Sequence, residues 1–222
     1  MSNDALAAVL ARTSAVLLDF DGPICSVFSA FSPAAVAEEL RARLKLVDAP
    51  ATNEPFDILA YVARSEPSAA ARAEAELAQL ETHAVSRATP TPGATAVLHR
   101  FSESGRPVVV VSNNSALSVR TYLDQHDLAR HVVGVSARTE PDPNLLKPHP
   151  HLLLQAAELL NRSVRDCVMV GDSSTDIQAA QAAGARVIAY ANKPGKRERF
   201  ERLRPDTIID DMSELVGVGT PL

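Results

Sequence analysis

Six short runs of apolar, largely β-branched residues punctuate the chain, each closing on a small or polar residue: AVLLDFDG, PVVVVSNN, HVVGVSAR, CVMVGDSS, RVIAYANK and DTIIDD. Runs of this length without polar alternation predict strands of a parallel sheet covered by helices on both faces. The segments between them have helical period. GATAVLHRFSESG closes at Gly105, SALSVRTYLDQHDL opens on Ser115 as its N-cap, and STDIQAAQAAG stops at Gly184. Strand and helix in repeated alternation predict an α/β fold, a Rossmann-like doubly wound parallel sheet.

One interval breaks the alternation. Between Ser26 and Ala88 no strand-like run occurs, only three helical patterns rich in alanine, arginine and glutamate. Ser32 and Pro33 read as N-cap and first helical residue, ahead of a stripe of Val36, Leu40, Leu44 and Val47. Phe56, Leu59, Ala60 and Ala63 make a second stripe, and Ala73, Leu77, Leu80 and Ala84 a third. Three amphipathic helices need a common core, which predicts an all-helical cap domain over 26–88, inserted after the first strand of a core formed by 1–25 and 89–222. The Pro- and Gly-containing segments GPICS and TPTPG are the expected links, suited to setting an angle or bending.

Composition narrows the partners. The 222 residues are 46% hydrophobic, enough to bury a sizeable core, and 22 basic against 27 acidic side chains give a formal charge of -5. That balance offers no general attraction to nucleic acid or to an anionic membrane, and the longest apolar runs fall well short of the roughly 20 residues a bilayer requires. The basic stretch KPGKRERFERLRP reads as an exposed helix with local ion pairs. Two cysteines, Cys25 and Cys167, lie in apolar segments, and no leader pattern opens the sequence. The expectation is a reduced, cytoplasmic protein, monomer or homodimer, that handles a small molecule.

In open parallel sheets ligands bind at the carboxyl ends of the strands. Strand one ends in Asp19, Asp21 and Gly22; the next ends in Ser112, Asn113 and Asn114; Lys147 follows the third in KPHP; GDSSTD supplies Asp172 and Asp176 after the fourth. Lys147 is the only lysine between Lys45 and Lys193. Carboxylates, a hydroxyl and an ammonium crowded at one rim are costly for stability alone, and a divalent cation with a dianionic ligand would neutralise them. Such groups suit phosphoryl transfer to a carboxylate: Asp19 as nucleophile, Asp21 as the acid that protonates the leaving oxygen and later activates water. Magnesium, which keeps several waters, would need only Asp19, the main-chain carbonyl of Asp21 and Asp172. Ser112 and Lys147 would hold the phosphoryl oxygens, with backbone amides near Gly22 and Asn113 as further donors.

In this order, DFDG, VVVVSNN, KPHP and GDSSTD resemble the four motifs of the haloacid dehalogenase superfamily, more closely its phosphoglycolate phosphatase-like branch with a helical cap. The resemblance spans nearly the whole chain outside 26–88. It implies a magnesium-dependent phosphatase of a small phosphorylated metabolite, an aspartyl-phosphate on Asp19, a mobile cap, and Asp176 behind the metal, holding a metal water or Lys147. One departure stands out: the threonine usual after DxDG is replaced by Pro23, which removes a hydroxyl and an amide donor.

Phe28 and Phe31, just past the first link, and Tyr61 and Arg64, on the second cap helix, are candidates for a substrate pocket, against core packing for the aromatics and a solvated helix face for the arginine. Cys25 reads as a small buried hydrophobe. Within the resembling family a sugar phosphomutase shares the core residues and differs in the cap. A dehalogenase lacks the second aspartate, and a phosphonatase needs a cap lysine, for which only Lys45 is available. A phospho-accepting receiver would order its acids differently, and a non-catalytic phospho-ligand-binding module is favoured only by Pro23.

Overall fold

A computed structural model describes residues 2–217. In chain order the elements are α1 (Ser2–Ala11), β1 (Ala15–Asp19), β2 (Cys25–Ser26), α2 (Pro33–Leu44), α3 (Pro55–Ser65), α4 (Ala70–Val85), β3 (Thr89–Pro90), α5 (Ala94–Glu103), β4 (Val108–Ser115), α6 (Ala116–Gln125), β5 (Gly134–Arg138), α7 (His151–Leu159), β6 (Cys167–Gly171), α8 (Ser174–Ala183), β7 (Arg186–Tyr190), α9 (Lys196–Glu201), β8 (Thr207–Ile209) and α10 (Glu214–Gly217). All six apolar runs are strands of one parallel sheet ordered β5-β4-β1-β6-β7-β8. From central β1 the chain builds outward through β4 and β5, then returns to the other side of β1 with β6. The crevice of a doubly wound sheet opens at that reversal.

The unbroken apolar runs make sense because successive side chains enter opposite layers. Val16, Leu18, Val108, Val110, Val168, Val170 and Ile188 pack with α1, α5 and α6, whereas Leu17, Val109, Val111, Met169, Val187 and Ala189 pack with α7, α8 and α9. Both faces are dry, so in the central strands β1, β4 and β6 polar residues appear only toward the carboxyl ends. Register does the rest: Asp19 lies beside Val111, one residue before Ser112, and Leu18 beside Val170, two before Asp172. The polar ends of three strands therefore emerge together.

The interval without strands folds as three helices around their own apolar cluster, with Val36, Leu40, Ile58, Leu59, Val62, Ala73, Leu77 and Leu80 at its centre. The Ser32 hydroxyl caps α2 by accepting from the amide of Ala35 at 3.2 Å. Two details of the expected stripes are corrected. Val47 is 93% exposed, because α2 stops at Leu44 and left-handed Lys45 takes the chain out of helical register. On α3 the buried positions are Pro55, Ile58, Leu59 and Val62, with Phe56, Ala60 and Ala63 half-buried at the margin. Helix α4 bridges two clusters: Ala73, Leu77 and Leu80 face the helical one, Ala84 and Val85 the sheet. The two links are not separate strings, since β2 and β3 pair antiparallel, Cys25 with Pro90 and Ser26 with Thr89. No helix among the described residues is long and apolar enough to cross a membrane.

Candidate active site

The loop after β1 is held by its own main chain. The amides of Ile24 and Cys25 both donate to the Phe20 carbonyl, at 3.1 and 3.2 Å, and the Gly22 amide donates to the Cys25 carbonyl at 2.7 Å. The Gly22 N–H is thereby spent inside the loop, which corrects its expected use as a phosphate donor. Glycine is required there for another reason. With φ +108° and a Cβ that would lie 2.3 Å from the Asp172 Cγ, position 22 leaves the space into which that carboxylate folds. Gly171 plays the same part for Asp176, whose Cγ would be 2.5 Å from an added Cβ.

Lys147 stands at the centre of the cluster. Its Nζ donates to Asp19 Oδ1 at 2.7 Å, to Asp176 Oδ1 at 2.6 Å and to the Val111 carbonyl at 3.2 Å. All three side chains are nearly or fully buried. Burial alone would lower the lysine pKa, but the charges of Asp176 and Asp19 outweigh it and hold the ammonium above its usual range. The other Asp176 oxygen accepts from the Ser173 amide and hydroxyl at 3.0 and 2.6 Å, so this residue caps α8 and fixes Lys147 at once. Asp19 is pushed well above the ordinary carboxylate range by burial and the Asp176 charge, against the opposing pull of Lys147. Carboxylate oxygens of Asp19, Asp172 and Asp176 lie within 4.8 Å of one another, a spacing that fits a hard divalent cation.

Asp21 is set apart from this cluster. Its Oδ1 accepts from the Val27 amide at 2.9 Å, and burial raises its pKa from 3.8 to about 6 despite that bond. It opens on a cavity of about 390 Å³, lined also by Ser26, Phe28, Thr91, Asp172, Tyr190, Asn192 and Lys193. Of the four pocket candidates only Phe28 reaches this cavity. Phe31 packs on His83 with ring centroids 5.0 Å apart, Tyr61 packs against the helical cluster, and Arg64 is exposed at the end of α3. Cys25 is buried, and burial raises its thiol pKa, so it behaves as the hydrophobe expected.

Ser112 is 1% exposed, its hydroxyl accepting from the Asn114 amide at 3.1 Å and donating to Asn114 Oδ1 at 3.2 Å. The Asn113 side-chain amide is taken up by the main chain of Lys147, accepting from the nitrogen at 2.8 Å and donating to the carbonyl at 3.1 Å. It orients the lysine loop. At Pro23 the missing hydroxyl has a neighbour, because Thr91 Oγ1 from the second link donates to the Gly22 carbonyl at 2.5 Å.

Several residues escaped the sequence reading. Lys196 Nζ lies 2.6 Å from both Asp172 Oδ2 and its carbonyl oxygen, and Asn192 Nδ2 lies 2.8 Å from the same Oδ2. Lys196 was hidden in a basic run that reads as solvated helix. Glu81, Glu74 and Arg138 form a second buried ionic group under α4. Here a signal existed: Ala73, Leu77 and Glu81 follow at steps of four, which puts a carboxylate at a core position of the stripe.

Comparison with known proteins places this arrangement. Residues 13–184 match the family model of the haloacid dehalogenase-like hydrolases. A phosphoglycolate phosphatase of Photobacterium profundum is 31% identical over 127 residues, 57% of this chain and 54% of that protein. The pyrophosphatase PpaX of Bacillus mycoides is 36% identical over 80 residues, 36% of this chain and 37% of that protein. The matches thus span about half the length of these relatives or less. In fold, CbbY from Rhodobacter sphaeroides, solved in complex with phosphate, superposes with a TM-score of 0.70 at 19% identity, over 91% of this chain and 96% of that one.

Proposed function

The chain belongs to the haloacid dehalogenase-like hydrolases, and from that premise we propose that it is a magnesium-dependent phosphatase of small phosphorylated metabolites. The observation that carries the reading is the division of labour at the end of β1. Asp19 lies against Lys147 and within reach of Asp172, whereas Asp21, two residues on, has a pKa of about 6 and faces a cavity large enough for a leaving group. Placement gives Asp19 the attack and Asp21 the proton; burial raises both acids, and the positive charge that favours an ionised Asp19 comes from Lys147 and would be reinforced by the cation.

Asp19 attacks phosphorus as the ester oxygen departs with a proton from Asp21. Asp21, now a carboxylate, then takes a proton from the water that cleaves the aspartyl-phosphate and restores Asp19. Lys147 and Ser112 hold the phosphoryl oxygens, the Ser112 hydroxyl turning from Asn114 Oδ1 and the ammonium exchanging its bond to the Val111 carbonyl, while Asp176 keeps the ammonium in place. Asp19, the Asp21 carbonyl and Asp172 would hold magnesium, which supplies positive charge between nucleophile and phosphate. Residues 26–88 act as a cap that shields the cleft, with Phe28 and the two links on its floor. The phosphatase names of the relatives support the reaction class.

Release of phosphate from an aryl phosphate, with and without magnesium, tests the reading against Asp19→Asn. The parent is expected to turn over only with the metal, and Asp19→Asn to lose at least about a thousandfold in kcat. Equal turnover by the two proteins would remove Asp19 as nucleophile. Binding of phosphate without turnover in the parent would favour a non-catalytic binding module.

A further inference from the structure

Where α4 crosses the ends of β4 and β5, away from the carboxylate cluster, lies a second buried polar group that the reaction does not use. Glu81 is 0% exposed and Arg138 3%. The Glu81 carboxylate accepts four bonds: from the Ser115 amide at 2.8 Å, Asn114 Nδ2 at 3.1 Å, and Arg138 Nη1 and Nη2 at 3.1 and 2.9 Å. Arg138 also donates to the Asn113 carbonyl at 3.0 Å and to Glu74 at 2.6 Å, and its guanidinium lies 5.5 Å from the centre of the Phe56 ring. A buried ion pair is weak support for stability, since apolar residues of similar volume often serve as well. What distinguishes this one is where its bonds go. They grip Asn113, Asn114 and Ser115, the three residues that follow Ser112.

We infer that Glu81 and Arg138 are positioning residues for the phosphate subsite, holding the chain after Ser112 so that the Ser112 hydroxyl and the Lys147 loop stand where phosphoryl oxygens are received. The connection is direct at each step. Asn114, held by Glu81, exchanges hydrogen bonds with the Ser112 hydroxyl, and Asn113, held through its carbonyl by Arg138, carries the main chain of Lys147 on its side-chain amide. Helix α4 therefore forms part of the subsite's framework although it lies within the helical insertion. The inference rests on the phosphatase reading above.

The test compares competitive inhibition by inorganic phosphate, KM and kcat for an aryl phosphate, and the magnesium midpoint in three variants. Glu81→Gln removes an acceptor from the strand end. Glu81→Leu/Arg138→Met removes both charges together and so keeps a folded protein in hand if the single variant is unstable. Glu74→Gln is the control, since Glu74 touches Arg138 but none of the three residues that follow Ser112. For the first two, the inhibition constant for phosphate and KM rise about tenfold to a hundredfold, the cost of a misplaced binding group. The magnesium midpoint stays near the parent's, because Asp172 follows β6 on the far side of β1. Glu74→Gln alters none of these beyond about twofold. A folded double variant that binds phosphate like the parent overturns the inference while leaving the phosphatase reading intact. A parent that neither turns over nor binds phosphate removes both, and loss of turnover in Asp19→Asn with unchanged phosphate inhibition in the Glu81 variants removes this one alone.

Discussion

Asp19 and Asp21 are two residues apart and chemically unlike because of what surrounds each. Asp19 has an ammonium at 2.7 Å, and Asp21 has one backbone amide and a cavity. The raised pKa of Asp21, from 3.8 to about 6, has a consequence for stability as well as for catalysis. An acid with a higher pKa folded than unfolded adds no cost below its unfolded pKa and its full cost above its folded one. Asp21→Asn should therefore stabilise the metal-free protein at pH 7 by about 2 kcal/mol, allowing for partial solvent access, and the gain should vanish near pH 4. Thermal melts of both proteins across that range check it; a gain that persists at low pH would place its origin elsewhere. At position 23, Thr91 already puts a hydroxyl on the Gly22 carbonyl. Pro23→Thr should leave kcat/KM within about threefold of the parent, whereas a large gain would mean that Pro23 restrains the catalytic loop.

At the scale of elements, the six strands and the helices between them were legible because each satisfies a purely local rule, dry runs for buried strands and a capped 3.6 period for helices. The gathering of strand-end residues was legible too, since parallel register carries Asp19, Ser112 and Asp172 to one rim. What escaped depends on distance in sequence. Nothing local says that the Asn113 amide is spent on Lys147, 34 residues on, or that Lys196 folds back 24 residues to Asp172. The α3 stripe was misplaced by a residue or two because its small alanines mark the face less clearly than Ile58 and Val62 do. The third stripe was read correctly, and it gives a quantitative expectation: Leu77 is 0% exposed at the centre of the helical cluster, so Leu77→Ala should cost about 2–5 kcal/mol in chemical denaturation. A loss below about 1 kcal/mol would mean that the helices do not share a tightly packed core.

At the scale of the whole molecule, the parallel sheet gathers charged groups from distant parts of the chain at one edge, and the helical interval, entered and left through the paired strands β2 and β3, bonds to the end of β4 through Glu81. The cavity beside Asp21 draws its lining from the catalytic loop, both links and the segment after β7, so its shape depends on all of them together. If Asp19 is the nucleophile, it becomes covalently phosphorylated during turnover. Acid quenching of the protein during turnover of a phosphorylated substrate with magnesium, followed by peptide mass spectrometry, reads this directly. One added phosphoryl group is expected on the peptide containing Asp19, absent from Asp19→Asn; phosphate release by the parent with no such adduct, or an adduct on another residue, would rule Asp19 out as the nucleophile.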